Sequence, residues 1–389
     1  MPADRAKLDT MPVPVNLPNV TLPHAHQAVE QAGWVDSSSR YEEVSDHLST
    51  RPMIGIDTEF VRERTFYPSP GLVQLSDGDS VWLIDVVTLE DHDPLKALVD
   101  QPNATKVLHS VGEDLEILSL LTDSYPEQLL DTQVAAAFLG FPAQIRYEHL
   151  IEQVFGVALP GGQARSNWCQ RPLAGSLLEY AAQDVIYLPR LAETLCDELE
   201  RLGRLEWVQE DCARLVRQRK SAHRHPALLR VKGAGRLSKI AMAYAANLAQ
   251  WRDEEAKARN LPRSFVIKDE NLVELASQAE RIGTMRAISQ LGNVLRRFSE
   301  PCLAVLESTD PSGFEVPSGL LPLTPEQRQT LKTWQTKIGA LANDLNIEPS
   351  VVASKRELTR LLKGESPDWL NGWRGPMIQD QLELNAVPI

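Results

Sequence analysis

The spacing of apolar residues in the first half of the chain predicts strands first and then an alternation of helices and strands. Residues 53–60 begin with apolar side chains suited to a buried strand. Residues 71–76 and 81–85 have the pattern of two further strands, and the Asp-Gly-Asp segment between them favours a hairpin. After residue 95 helix and strand patterns alternate as far as a strong helix at residues 177–185. This order predicts an α/β domain with a mixed sheet covered by helices.

The second half of the chain has almost no strand pattern. Residues 238–260 and 324–389 carry apolar side chains at helical spacing, and residues 310–322 are rich in Pro, Gly and Ser. Residues 1–30 are rich in Pro and polar residues without sustained periodicity. We therefore expect a mobile N-terminal tail at 1–30, an α/β domain at 31–205, a first helical domain at 206–309, a linker at 310–322 and a second helical domain at 323–389.

Composition places the chain among ordinary globular proteins, with 43% hydrophobic and 24% charged residues in 389. No apolar run approaches the roughly 18 residues of a membrane-spanning helix, and the first residues lack the order of a signal peptide. The four cysteines are widely spaced without a C-x-x-C pair, which favours reduced thiols over disulfides or a zinc site. We expect a cytoplasmic, monomeric protein that does not contact membranes.

The net charge of −13 argues against a protein that coats nucleic acid along its whole surface. A local basic path is still compatible with this charge, because residues 201–240 contain eleven Lys and Arg against three acidic residues. A solvated linker and helix face would give the same run, and that is the more frequent explanation of such a run.

Two carboxylates lie in the second half of the strand at residues 53–60. Asp57 and Glu59 are two positions apart, so in a strand both side chains point to the same face of the sheet. Neighbouring carboxylates repel each other unless a cation, a proton or hydrogen-bond donors compensate, which makes the pair a candidate metal site. The same spacing occurs at residues 114–116 and 253–255, and a solvated strand end would explain the pair equally simply.

Three more polar residues on the predicted helices are candidates for the same site. Asp114 follows the change from a strand to a helix, where the helix dipole alone would favour an acidic residue. Tyr180 and Asp184 are four residues apart in the strong helix and therefore share one face. Both also have an ordinary structural explanation, because Tyr180 could be a half-buried aromatic residue and Asp184 a surface acid.

Taken in order, these residues resemble the ribonuclease D group of 3′-to-5′ exonucleases, within the wider four-carboxylate exonuclease superfamily. The matching motifs are Asp57-x-Glu59, then Asp114 after His-Ser-Val-Gly-Glu, then Tyr180-x-x-x-Asp184. The helical half is similar to tandem helicase-and-ribonuclease-D C-terminal (HRDC) domains, most visibly at residues 251–252 and 372–375. The resemblance runs from about residue 34 onward and implies a ribonuclease H-like exonuclease domain followed by two small all-α HRDC-type domains.

The resemblance implies hydrolysis of a phosphodiester with two divalent ions about 4 Å apart. Asp57, Glu59, Asp114 and Asp184 would be the metal ligands, and oxygen-only ligands suit Mg²⁺ or Mn²⁺ better than zinc. Tyr180 would orient the attacking water, because an unperturbed tyrosine pKa near 10 makes it a poor base at neutral pH. The implied substrates are RNA 3′ ends, with precursor tRNA expected and 5′-mononucleotides as products.

Further candidates for RNA contact carry weaker signals. Phe60 beside the first motif is positioned to stack on the terminal bases, and a core aromatic explains it as well. Trp251 and Arg252 are candidate contacts to the RNA backbone, against the alternative of a core tryptophan and solvated charges. His109 is more simply explained as a structural histidine than as a ligand.

Two other functions stay open on the sequence alone. A 3′-to-5′ exonuclease acting on DNA would use the same carboxylates, because the same metals cleave both backbones. Only sensitivity to the 2′-hydroxyl of the substrate separates it from the RNA enzyme. A noncatalytic RNA-binding protein would bind through the helical domains and cleave nothing.

Overall fold

The computed structural model describes residues 12–18, 22, 24–163, 165–221, 226–365 and 367–383. In these residues an α/β domain comes first and two clusters of helices follow, which confirms the predicted fold class. We call the clusters the first and the second helical domain. Residues 1–11 of the expected N-terminal tail lie outside the described residues.

The central sheet is mixed, as predicted. Its strands are β1 (Gly33–Val35), β2 (Met53–Val61), β3 (Ser69–Ser76), β4 (Val81–Ile84), β5 (Thr105–Leu108) and β6 (Leu129–Asp131). Over the described part of the chain they form one six-stranded sheet in the order β1-β4-β3-β2-β5-β6. The neighbours of β2 are antiparallel β3 and parallel β5, so β2 lies in the interior of the sheet. β1, which pairs in parallel with β4, has only three residues and was not predicted.

Helices cover the sheet on both faces. They are α1 (Ala25–Glu30), α2 (Ser38–Ser49), α3 (Asp93–Asp100), α4 (Asp114–Thr122), α5 (Thr132–Ala137), α6 (Tyr147–Phe155), α7 (Gly175–Ile186), α8 (Leu188–Arg201) and α9 (Leu205–Ser221). The buried residues of α9 join the core of the α/β domain, and α9 packs against β6. This core therefore extends past the expected boundary at residue 205.

Part of the expected tail is folded onto the α/β domain. Ala25, Ala28 and Val29 of α1 are buried, and α1 packs against α7. Upstream, the Val15 amide donates to the Leu139 carbonyl at 2.9 Å. Expecting residues 24–30 to lack regular structure was wrong, because a helix of six residues is too short to give a clear periodic pattern.

The first helical domain has its own apolar core. Its helices are α10 (Lys239–Ala258), α11 (Arg263–Val266), α12 (Asp269–Ile282), α13 (Thr284–Leu295) and α14 (Ser299–Ser308). Short 3₁₀ turns at Ala227–Arg230, Ala234–Arg236 and Arg296–Phe298 complete the domain. The helical character predicted for this half of the chain is confirmed.

The second helical domain consists of α15 (Pro325–Leu345), α16 (Pro349–Val352), α17 (Lys355–Leu362) and α18 (Arg374–Leu382) around a third core. It is joined to the α/β domain by the segment that resembles an HRDC motif. Trp373 stacks on Trp207 with ring centroids 4.6 Å apart, and the buried Arg374 guanidinium pairs with Asp211. This joint fixes the second helical domain against α9, which carries both partners.

In the residues that the structure describes, no helix combines the length and apolar character that crossing a bilayer requires.

Candidate active site

β2 places the first two carboxylates in one cavity. Asp57 and Glu59 face the same side of the sheet, as their spacing predicted, and Asp184 of α7 joins them. One carboxylate oxygen from each of the three lies within 4.8 Å of the others, and Glu59 is buried. Asp57 lies in β2 and Asp184 in α7, so the fold brings together two residues that are 127 positions apart in the chain.

The approach of α7 to β2 depends on a glycine in the strand. A Cβ atom placed on Gly55 would lie 3.0 Å from the Val185 carbonyl oxygen and 3.1 Å from Pro189 Cδ. These contacts are tight enough to push back the junction of α7 and α8. Because Gly55 is on the same face as Asp57, the absence of its side chain lets Asp184 reach the other carboxylates.

A β-bulge lies next to Glu59. The register between β2 and β3 shifts between Glu59 and Phe60, and Gly71 is the extra residue on β3. A Cβ atom on Gly71 would lie 2.7 Å from the Trp168 carbonyl oxygen, so the segment that carries Trp168 packs directly on the bulge. That segment brings Arg165 to the carboxylate cavity. Bulges beside functional sites commonly redirect side chains in this way.

Asp114 approaches the site from a turn held by another carboxylate. Asp131 accepts hydrogen bonds from the backbone amides of Ser110 and Val111, at 2.9 and 3.0 Å. Ser110 has φ of 61°, so the turn requires such support. The Thr58 hydroxyl donates to Asp114 at 2.6 Å. Asp114 lines the cavity but is not part of the close group of three carboxylates.

Burial, and after it repulsion between carboxylates, shapes the electrostatics of the cavity. Burial and then the charges of Asp184 and Asp114 raise the pKa of Glu59 to about 9. Burial raises the pKa of Asp184 to about 7 and that of Asp114 to about 6, although hydrogen bonds from Tyr180 and Thr58 oppose the shift. The pKa of Asp57 is raised well above its usual value by burial and by Asp114. Such a group gains free energy from a bound cation, which relieves the repulsion.

The donor set fits a hard divalent cation. Every candidate ligand is a carboxylate oxygen, which Mg²⁺ and Mn²⁺ prefer, and the part of the chain described here places no cysteine or histidine in the close group. The chemistry of the donors is therefore that of a site for a divalent metal.

Tyr180 lies one turn before Asp184 and its hydroxyl donates a hydrogen bond to that carboxylate. Burial, and then the negative charge of Asp184, raises the pKa of Tyr180 above its ordinary value. The phenol is therefore protonated at neutral pH and acts as a hydrogen-bond donor. This agrees with the predicted orienting role and disfavours a tyrosinate base.

The cavity has a volume of about 870 Å³ and includes residues that the sequence analysis did not identify. Tyr147 and Glu148 come from the start of α6, and Arg165 from the segment before α7. Within the described residues Arg165 makes no ion pair. No local pattern marks these residues in the sequence, because they approach the carboxylates only through the packing of α6 and α7.

His109 also lines the cavity, but its ring is fully engaged. Its Nδ1 lies 2.8 Å from the Thr132 hydroxyl and its Nε2 lies 3.0 Å from the Ile145 carbonyl oxygen. Burial lowers its pKa, so the ring is neutral. These contacts agree with the structural histidine that the sequence favoured.

The candidate RNA contacts have different outcomes. Phe60 lines the carboxylate cavity, with the Arg62 guanidinium 5.8 Å from its ring centroid. Trp251 packs edge-on against Phe298 in the first helical domain, away from the cavity. Arg252 is 2% exposed. The prediction of Arg252 as a surface contact was wrong, because its guanidinium is 2.7 Å from Asp269 and donates to a backbone carbonyl.

Six of the eleven basic residues in the run at 201–240 are engaged in contacts within the protein. Arg204 donates to the carbonyl oxygens of Phe138 and Leu345, which belong to two domains. Ion pairs engage further members: Arg201 with Glu198, Arg214 with Glu357, Arg217 with Asp368, Arg219 with Glu116 and Arg230 with Asp253. Arg224 lies outside the described residues. These contacts give little support to the run as a continuous RNA path.

Comparison with known families identifies both halves of the chain. A family model described as a 3′-5′ exonuclease matches residues 32–200, and a model described as an HRDC domain matches residues 242–306. The second helical domain lies outside both matches, so its HRDC character stays a prediction.

Curated relatives named ribonuclease D cover most of the chain. One from Shewanella sp. (strain ANA-3) is 36% identical over 341 residues, which cover 85% of this chain and 88% of the relative. Another, from Escherichia coli (strain K12), is 33% identical over 345 residues, which cover 85% of this chain and 92% of the relative.

Solved structures agree with this. The crystal structure of Escherichia coli RNase D matches with a TM-score of 0.81 and 30% identity, over 90% of this chain and 97% of that one. The catalytic core of RRP6 from Trypanosoma brucei matches with a TM-score of 0.52 at 18% identity, covering 79% of this chain and 97% of that core, and this likeness shows the fold alone.

Divalent cations should stabilise the wild-type protein through the carboxylate cavity. At a cation concentration about 100-fold above its dissociation constant, the free energy of unfolding should rise by about 2.7 kcal/mol. Thermal melting in chelator and in Mn²⁺ measures this gain. Asp57→Asn should melt at a higher temperature than wild type in chelator, because one repelling charge is gone, and should lose most of the gain from Mn²⁺.

The matched control is Asp46→Asn, which makes the same change at an exposed position of α2. It should keep the full response to Mn²⁺. An equal response in Asp57→Asn and wild type would place the stabilising cation elsewhere.

Proposed function

This chain belongs to the ribonuclease D family of 3′-to-5′ exoribonucleases, and on that premise we propose that it trims the 3′ ends of structured RNA, with precursor tRNA as its expected substrate. The observation that carries the proposal is the close group of Asp57, Glu59 and Asp184 in an open cavity. The Escherichia coli relative is described as an exoribonuclease involved in structured RNA processing, which supports the choice of substrate class.

Asp57, Glu59, Asp114 and Asp184 would hold two divalent ions, Mg²⁺ or Mn²⁺. When bound, these ions would supply an activated water and stabilise the leaving 3′-oxygen, which leaves a 5′-mononucleotide as product. The protein contributes the positions of the ligands, because β2, α4 and α7 are held by packing and by the Thr58 hydrogen bond. A site fixed before the substrate arrives needs little rearrangement during reaction.

Tyr180 orients the attacking water in this proposal. Its phenol is protonated at neutral pH and carries a single proton, so rotation of the hydroxyl turns that proton from Asp184 to a water oxygen, and the phenol cannot remove a proton from the water. The water's own proton then leaves to a carboxylate or to solvent. The helix holds Tyr180 one turn from Asp184, so hydroxyl and carboxylate face the same side.

Two arginines are placed to meet the phosphodiester. Arg165 lines the cavity without an ion pair in the described residues, and its guanidinium suits bidentate contact with a phosphate. Arg62 lines the same cavity while bonded to Glu116 at 2.5 Å. Phe60 beside them offers a ring for the terminal base.

The decisive experiment compares RNA with DNA. Purified protein with Mg²⁺ or Mn²⁺ is given 5′-labelled precursor tRNA with a 3′ extension and, separately, a DNA strand of matching sequence. We expect a ladder that shortens from the 3′ end of the RNA only. The ladder should be absent in chelator and in Asp57→Asn, and present in the control Asp46→Asn.

Other patterns would redirect the assignment. Cleavage of DNA alone would make the protein a DNA exonuclease built on the same carboxylates. Retarded migration of RNA without cleavage under either metal would indicate a binding protein.

Tyr180→Phe tests the orienting role. The substitution keeps the ring and removes the hydroxyl, so kcat for RNA should fall roughly 10²-fold, as for other single donors lost from an active site. The thermal shift with Mn²⁺ should stay as in wild type, because the carboxylates are untouched. Full turnover in Tyr180→Phe would show that the hydroxyl has no part in the reaction.

A further inference from the structure

The carboxylate cavity is one end of a longer groove. A second cavity of about 690 Å³ shares Arg62 and Glu63 with it. A third cavity of about 740 Å³ shares Ser264 and Lys268 with the second. We call the three together the long groove, and it runs from the active site across the first helical domain.

The middle of the long groove is a fixed contact between domains. The Asn260 side-chain oxygen accepts hydrogen bonds from the backbone amides of Phe66 and Tyr67, at 3.1 and 3.0 Å. The Arg263 guanidinium lies 4.7 Å from the ring centroid of Phe66. The loop between β2 and β3 is thereby attached to the first helical domain, so the lining of the groove passes from one domain to the next.

The far end of the long groove combines an exposed aromatic ring with unpaired cations. Phe265 is 55% exposed and lines the third cavity. Arg296 and Arg297 line it too and are exposed. Over the described chain neither forms an ion pair, although the Arg297 guanidinium lies 4.8 Å from the Phe298 ring centroid. By contrast, Arg252 and Arg263 in the middle cavity are bound to carboxylates.

The backbone at the far end is held in an unusual conformation. Arg296 has φ of 52° and ψ of −122°, a region that residues with a side chain rarely adopt. It directly follows α13 and begins the 3₁₀ turn Arg296–Phe298. Strained backbone of this kind is often found where a side chain is positioned for binding, and here it lies beside an exposed ring and two arginines that make no ion pair with the described residues.

We propose that the far end of the long groove is a subsite for single-stranded RNA on the 5′ side of the nucleotide being removed. Phe265 stacks on a base, and Arg296 and Arg297 contact the phosphates beside it. Exposed rings next to cations bind single strands in this way without sequence preference. The inference rests on the proposed exonuclease function, because it takes the strand's 3′ end to lie at the carboxylates.

A purely structural role for the two arginines makes a different prediction. Cations at the C-terminal end of a helix are stabilised by its dipole, and α13 ends at Leu295. In that case removing them would lower the melting temperature and leave RNA affinity unchanged.

The test compares short and long substrates. Wild type, Arg296→Ala/Arg297→Ala and Phe265→Ala are assayed on a dinucleotide, which reaches only the carboxylate cavity, and on a single strand of roughly 12 nucleotides. We expect each variant to raise KM for the long strand about tenfold or more and to leave kcat/KM for the dinucleotide unchanged. Phe265→Trp should restore the KM of the long strand.

Two control variants match the changes in charge and size. Arg281→Ala/Arg286→Ala removes the same charge from exposed positions on α12 and α13, outside the long groove. Met285→Ala removes an apolar side chain that is 64% exposed. Both controls should behave as wild type on the two substrates.

Salt dependence gives an independent reading of the phosphate contacts. In the Asp57→Asn background, which we expect to bind RNA without cleaving it, the slope of log affinity against log salt should become shallower by about 0.7 for each lost phosphate contact. An unchanged KM and slope in the arginine and Phe265 variants would overturn the subsite. Failure of wild type to cleave either substrate would instead overturn the exonuclease function.

Discussion

The mutual repulsion of carboxylates in a partly desolvated cavity is the constraint on which the rest of this structure depends. Asp57, Glu59 and Asp184 have oxygens within 4.8 Å of one another, and burial raises the pKa of each. Across the residues that the structure describes, these groups are held together without a salt bridge to a protein cation. A folded chain tolerates such an arrangement when a bound cation offsets the unfavourable free energy of the repulsion. The same close carboxylates therefore both destabilise the cation-free protein and create the binding site.

The surrounding structure holds the carboxylates in place against this repulsion. Gly55 lets α7 approach β2, and Gly71 lets the Trp168 segment pack on the bulge beside Glu59. Asp131 holds the turn that precedes Asp114. These contacts act on the backbone, so the geometry of the site is built into the packing of the sheet and its helices. The first helical domain then continues the lining of the cavities away from the carboxylates.

Much of the α/β domain was predictable because its signals are local. Strand alternation placed Asp57 and Glu59 on one face, and the spacing of four residues placed Tyr180 above Asp184. What the sequence did not reveal depends on distant contacts. Arginine is a residue type that usually lies at the surface, and only the fold shows that Arg252 is buried against Asp269. The carboxyl group of Asp131 likewise acts on a turn whose amides are 20 and 21 positions away.

The central claim is that these carboxylates form a site for divalent cations. Crystals of the full chain soaked in Mn²⁺, with diffraction recorded at a wavelength where manganese scatters anomalously, test it most directly. The account predicts anomalous peaks within coordination distance of the carboxylate oxygens of Asp57, Glu59 and Asp184, and none there in Asp57→Asn crystals. Peaks confined to other carboxylates, in crystals of a preparation that trims RNA with Mn²⁺, would contradict it.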